Sequence, residues 1–203
     1  MIDSVVFDLG KVLLDWDPRY YYQRHFNGDR DALEDFVGNT VASSWIASMD
    51  CGKSSIDAIA ERQIAFPEQA RLIGLWTQGW PAMLRGEIEG TAQIIRELKS
   101  RGLRLYALTN FSAETFPIAL QRCPTLGLFE DIVVSGEIGL IKPDPRIYAY
   151  TTARCRLVPA QTLFIDDMSA NVDAAREAGW HALQFDSPEH LRSALVEHGV
   201  LPI

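Results

Sequence analysis

The sequence predicts an α/β protein, a doubly wound, Rossmann-like parallel sheet core with an inserted helical cap, and three observations carry that prediction. Short apolar runs ending in polar residues recur past the middle of the chain, helical segments with clear stops lie between them, and a long early stretch is helical throughout. Strands covered on both faces read as continuous apolar runs, and their alternation with helices implies parallel pairing with helices on either side.

In chain order, "VVF" at 5–7 supplies the central strand and stops at Asp8. From Asp17 to Gly86 come the helical patterns "RDALEDFVGN", "SIDAIAERQIAF" and "QARLIGLWTQGW", with no strand among them. This stretch carries Tyr20, Tyr21, Tyr22, Trp45, Trp76 and Trp80, with Trp16 at its border. The expected division is a core of 1–16 and 87–203 and a cap of 17–86. In "TAQIIRELKSRG" Ile94, Ile95 and Leu98 share a face, and Gly102 ends the helix. The apolar runs "LRLYALTN", "DIVVSGE", "TLFIDD" and "HALQF" are the remaining strands. "SANVDAAREAG" is a further helix, with Ser169 as its expected N-cap and Gly179 as its stop.

At 203 residues the chain suits one large domain with an insertion. A formal charge of −8 argues against nucleic acid and anionic membranes as partners. No apolar run reaches membrane-spanning length, and the first begins at Val5, too early for a signal segment. Cys51, Cys123 and Cys155 lie far apart and outside any CxxC spacing, as reduced thiols do, which points to the cytoplasm. The expected partner is a small molecule, and the expected assembly a monomer or weak homodimer.

Asp8, Thr109-Asn110 and Asp166-Asp167 fall at strand ends, where open α/β sheets bind ligands. A lone aspartate there would accept hydrogen bonds from the following turn. Three carboxylates converging are different, because like charges a few ångströms apart repel by roughly 4 kcal/mol per pair even at an effective dielectric of about 20. Something cationic must sit among them. Oxygen donors alone suit Mg²⁺. Lys142, in "GLIKPDP", is a second candidate cation, although a single lysine is more commonly solvated. Thr109-Asn110 alone would read equally well as a strand-ending turn. His25, His181, His190 and His198 are scattered, with none at ligand spacing.

Together "VVFDLGKVL", "LYALTNFS", "GLIKPDPRIY" and "LFIDDMSANVDAAREAG" resemble, in order, the four motifs of the haloacid dehalogenase superfamily. The resemblance implies a covalent mechanism with Asp8 as nucleophile, giving an aspartyl-phosphate in the phosphatases. It implies that Thr109 and Asn110 hold phosphoryl oxygens and that Lys142 neutralises them and anchors Asp8. It also implies a Mg²⁺ site made of Asp8, the Gly10 carbonyl, Asp166 and Asp167, serving a small phosphorylated metabolite.

One position departs from the pattern. Phosphatases of this superfamily usually carry a second aspartate two residues after the nucleophile, as general acid and base, and here that residue is Gly10. The α-D-glucose-1-phosphatase-like members share "FDLG" and the later "GW", which brings sugar phosphates among the candidate substrates. The 2-haloacid dehalogenases also lack the second aspartate, since halide leaves without a proton, but they carry small polar residues in place of Asp166-Asp167. That pair without a cation would be an electrostatic cost, so the phosphatase reading is preferred. A non-catalytic phospholigand-binding module is the third reading, and it predicts motif decay that is not seen. Asp15, Asp17 or a cap residue could replace the missing acid, Trp16, Tyr20 or Trp45 could face substrate, and Lys11 and Arg19 lie in a segment expected to overhang the site, where they could read a distal anionic or hydroxylated group.

Overall fold

The structure, a computed structural model, describes residues 2–202. It begins with strand β1 (Ser4–Phe7), followed by the short β2 (Leu14–Trp16). Six helices come next: α1 (Arg19–Tyr22), α2 (Arg30–Asp35), α3 (Ser43–Asp50), α4 (Ser55–Ala65), α5 (Ala70–Ile73) and α6 (Trp76–Met83). Then follow β3 (Leu84–Glu87), α7 (Glu89–Ser100), β4 (Arg104–Thr109), α8 (Phe116–Arg122), β5 (Asp131–Val134) and α9 (Ser135–Ile138). The chain closes with α10 (Pro145–Arg154), β6 (Thr162–Asp166), α11 (Ser169–Glu177), β7 (His181–Gln184) and α12 (Pro188–Glu197).

The main sheet has the order β5-β4-β1-β6-β7 and is parallel throughout. Its apolar runs divide by alternate residues. Val5, Phe7, Leu105, Ala107, Leu163 and Ile165 face a core shared with α7, α8 and α12, while Val6, Tyr106, Leu108 and Phe164 face a second core against α10 and α11. Two-sided burial explains why these strands lack polar alternation in sequence. Gly102 and Gly179 take φ of 83° and 84°, the left-handed conformation that closes α7 and α11.

Register then sets the site. Phe7 lies level with Ala107 on β4 and Ile165 on β6, and the Asp8 amide donates to the Ile165 carbonyl at 2.8 Å. Because all three strands point the same way, their polar ends emerge at one edge of the sheet, one strand spacing apart.

Three expectations change. Leu84–Glu87 is a strand, pairing antiparallel with Leu14–Trp16 where only helix was expected; runs of three and four residues are too short to show a period of two. "QARLIGLWTQGW" is two helices, interrupted at Gly74-Leu75. Ser169 is the first residue of α11 and not its cap, because the Asp166 carboxylate reaches forward to accept from the Met168 amide at 2.8 Å. Within α6, Gly79 has no side chain because the Tyr21 ring occupies the space, with three ring carbons 2.3–2.7 Å from where a Cβ would stand.

Candidate active site

Asp8, Lys142, Asp166 and Asp167 meet at the end of the central strands. One carboxylate oxygen from each aspartate lies within 4.8 Å of the others. Lys142 is buried among them, its Nζ 2.8 Å from Asp8 Oδ1 and 2.7 Å from Asp166 Oδ2, and it donates to the Leu108 carbonyl at 2.9 Å. All three ammonium protons are therefore engaged. The backbone of Lys142 is held by the Asn110 side chain, whose Oδ1 accepts from Lys142 N at 2.8 Å and whose Nδ2 donates to Lys142 O at 3.0 Å.

Asp166, at 0% exposure, is also saturated. Besides Lys142 and the Met168 amide it accepts from Asn171 Nδ2, at 3.0 and 3.1 Å to its two oxygens. Asp167 is half-buried and makes no comparable set of contacts. With three carboxylates against one ammonium, the cluster carries a formal charge of −2 in a poorly solvated place. This imbalance shifts the proton affinities of the cluster. Burial pushes the Asp8 carboxyl up to about 6, against the pull of Lys142 and with a further push from Asp166. Burial, then Asp166, raises Asp167. Lys142, which burial alone would lower, is held above the ordinary lysine range by Asp8 and Asp166.

A divalent cation of the hard, oxygen-seeking kind fits this donor set in charge and chemistry, and the carboxylates of Asp8 and Asp167, beside Asp166, are the groups that could hold it. The neighbouring Thr109 hydroxyl is buried without a hydrogen-bond partner among the described residues, and leaving such a group unpaired costs about 1–3 kcal/mol unless something accepts from it.

A family profile described as haloacid dehalogenase-like hydrolase matches residues 2–179. The chain belongs to that hydrolase family. This hydrolase is 34% identical to a phosphatase of Mycobacterium tuberculosis, over 96% of its own length and 92% of the relative's. It is 28% identical to a sesquiterpene phosphatase of Aspergillus oryzae, over 87% and 86% of the two chains. Among solved structures it superposes on a family enzyme from Bacteroides thetaiotaomicron, in complex with magnesium and inorganic phosphate, with a TM-score of 0.69. That pair is 19% identical, over 92% of this chain and 96% of the other. Three other relatives are much longer proteins, of which the hydrolase spans 9–36%.

Beside the carboxylate cluster a pocket opens between the inserted helices and the core. Gly10, Asn110 and Ser112 form its core-side rim, and Trp16, Trp76, Trp80, Ile46, Met49 and Phe111 its apolar walls. Trp16 thus takes the position that sequence reasoning considered for it. Tyr20 and Trp45 do not. The Tyr20 hydroxyl donates to Asp15 Oδ1 at 2.6 Å beneath the Arg85 guanidinium, and Trp45 packs inside the helices, donating to the Ala58 carbonyl at 2.9 Å. Trp76 and Trp80 face the pocket as well.

Asp15 is occupied by Tyr20, and Asp17 accepts from the Arg19 amide at 2.8 Å and pairs with its guanidinium at 3.2 Å. Arg19 is further held by Glu34 at 2.6 Å. Lys11 stands near enough to Asp167 to favour its charged form. Among the described residues no helix is long and apolar enough to cross a membrane.

Two features of the site lay outside the sequence reading. Asn171 is legible in retrospect, since it lies two residues into α11 on the turn that faces Asp166. Asp50, at the end of α3, lines the pocket, and nothing in "SMDCGKS" marks it.

Proposed function

We propose that this hydrolase is a Mg²⁺-dependent phosphatase of small phosphate esters, working through an aspartyl-phosphate on Asp8. The observation that carries the reading is the buried cluster of charge −2 beside an unpartnered Thr109 hydroxyl. Together they offer a nucleophile, a place for a divalent cation and a donor for a phosphoryl oxygen. The phosphatase relatives support the same reading, as does the structural neighbour that holds magnesium and phosphate.

In this proposal one Asp8 oxygen attacks phosphorus and the ester oxygen departs with its electron pair. Water then attacks the aspartyl-phosphate, restoring the carboxylate and releasing phosphate. Lys142, with all its protons committed, orients Asp8 and keeps it ionised. The Thr109 hydroxyl and the backbone amide at Asn110 receive the phosphoryl oxygens. Asp8, Gly10 and Asp167 would hold the metal, while Asp166 works from behind by fixing Lys142. When bound, Mg²⁺ supplies positive charge to the phosphoryl group that the anionic cluster would otherwise repel. The helices between β2 and β3 act as the cap that closes over this chemistry.

The pocket walls refine the substrate. Indole rings and aliphatic side chains gain most from a leaving group with apolar surface, an aryl or terpenoid-like alcohol, and little from a polyol such as a sugar. Burying about 60–100 Å² of such surface contributes about 1.5–2.5 kcal/mol, one to two orders of magnitude in kcat/KM. A phosphate-release screen is expected to rank aryl and prenyl phosphates above hexose phosphates by that margin; the reverse order would overturn the substrate assignment. Chelation is expected to abolish release in every case.

Asp167→Ala is expected to raise the Mg²⁺ concentration for half-maximal activity at least tenfold, as loss of a charged ligand should. Equal metal dependence in the variant would remove Asp167 from the site. Gly10 is the observation that favours the second reading, a 2-haloacid dehalogenase, and chloride release from 2-chloropropionate without metal would establish it.

A further inference from the structure

Gly10 leaves the proposed reaction without a group to move protons, and the pocket contains one group able to do so. Among the described residues that line it, Asp50 is the only one with an ionisable side chain. It sits where α3 ends and lines the same pocket as Gly10 and Asn110, with Met49 and Ile46 of the same helix among the apolar lining residues.

Its position is held from the core side. The Asp50 carbonyl accepts from Ser135 Oγ at 2.5 Å, and the next residue, Cys51, donates its thiol to the Gly139 carbonyl at 3.4 Å. Four residues further on, Ser55 donates its amide to Glu114 at 3.2 Å and its hydroxyl to the same carboxylate. The end of α3 is thus pinned to the loop that follows Thr109 and to α9 with its C-terminal end, from which the chain runs on to Lys142. Lys53, the nearest cation in sequence, is turned away into a pair with Glu61. No ion pair ties down the Asp50 carboxylate among the described residues.

We propose that Asp50 is the catalytic acid and base that Gly10 lacks, delivered to the site from the inserted helices. This rests on the phosphatase reading above. Protonated Asp50 gives its proton to the ester oxygen as the P–O bond breaks, so that an alcohol leaves in place of an alkoxide. The resulting carboxylate then takes a proton from the water that attacks the aspartyl-phosphate, and the cycle closes with Asp8 ionised and Asp50 protonated. The state of the group suits both halves. Burial pushes its carboxyl up to about 7, with the Ser112 backbone amide pulling it down and the Asp8 charge adding to the rise. Near neutral pH it can give or accept a proton with little bias.

The test is Asp50→Asn, a substitution of the same shape, followed in the millisecond range with p-nitrophenyl phosphate and at steady state with alkyl phosphates. Nitrophenolate leaves without help, so the variant is expected to keep the initial burst of one equivalent per enzyme. Its steady-state turnover should fall, because water activation is lost. On alkyl phosphates both steps need the group, and turnover is expected to drop by about 10²- to 10⁴-fold.

Adding Gly10→Asp to Asp50→Asn should recover part of the loss, since a Cβ at position 10 meets nothing within 4 Å. A variant that melts like the wild type and loses the burst in proportion to steady-state turnover overturns the role of Asp50 alone, as does one that loses nothing. A wild-type enzyme that shows neither burst nor phosphate release overturns the phosphatase reading itself.

Discussion

Asp8→Asn is expected to lower phosphate release by at least four orders of magnitude while leaving the fold intact. Removing a covalent nucleophile costs up to about 10⁶-fold in kcat in well-studied hydrolases, and an amide oxygen neither attacks phosphorus nor binds a hard cation well. The stability expectation runs the other way. Asp8 has its folded pKa raised from 3.8 to about 6. A raised carboxyl pKa means that the folded state binds more protons than the unfolded one across that window, so stability falls as pH rises through it. At neutral pH and without metal, the neutral asparagine relieves this cost. Its melting temperature should equal or exceed that of the wild type, and the stabilisation that Mg²⁺ confers on the wild type should shrink. Activity and melting, measured together with and without Mg²⁺, check both halves; turnover within tenfold of the wild type would remove Asp8 from the role of nucleophile.

Lys142→Met is expected to damage both function and fold. The ammonium touches Asp8 and Asp166 at 2.8 and 2.7 Å and is 3% exposed. Methionine fills a similar volume but leaves three carboxylates facing one another without a cation. Breaking a buried pair by removing one partner costs about 3–5 kcal/mol, or about 10 °C in a chain of this size at roughly 2–4 °C per kcal/mol. Mg²⁺ is expected to restore part of that loss, because it replaces some of the missing charge. Activity is expected to fall at least 10²- to 10³-fold even when metal is saturating, as it does when an electrostatic contact to the reacting group is removed. A variant that melts with the wild type in metal-free buffer would show that the cluster is not frustrated in the way its geometry implies.

The residues that meet at the sheet edge were legible because each lies next to a local signal. Asp8 ends an apolar run, Asp166 and Asp167 end another, and Lys142 precedes a proline-marked helix start. The parallel order was legible for the same reason, since continuous apolar strands alternating with stopped helices have few other ways to bury both faces. Asp15 and Asp17 show the limit of this reasoning. As sequence they were candidates to replace the missing acid, yet Tyr20 and Arg19 occupy them, and no spacing rule reveals a partner chosen by a turn.

The chain by itself determined the alternation of its elements, the carboxylates at the strand ends and the glycine that interrupts the motif. These depend on periods of two and 3.6 residues and on turn chemistry, which act within a dozen positions. Only the tertiary structure decided that Asp166 would be spent on Lys142 and Asn171, that Trp16, Trp76 and Trp80 would wall a pocket, and that Asp50 would line it together with Gly10. Those outcomes depend on how the inserted helices seat against segments 59 and 85 positions away, through contacts such as Ser55 with Glu114 and Asp50 with Ser135. A packed interface is set by shape and hydrogen bonding between distant segments, and neither leaves a periodic trace in either segment.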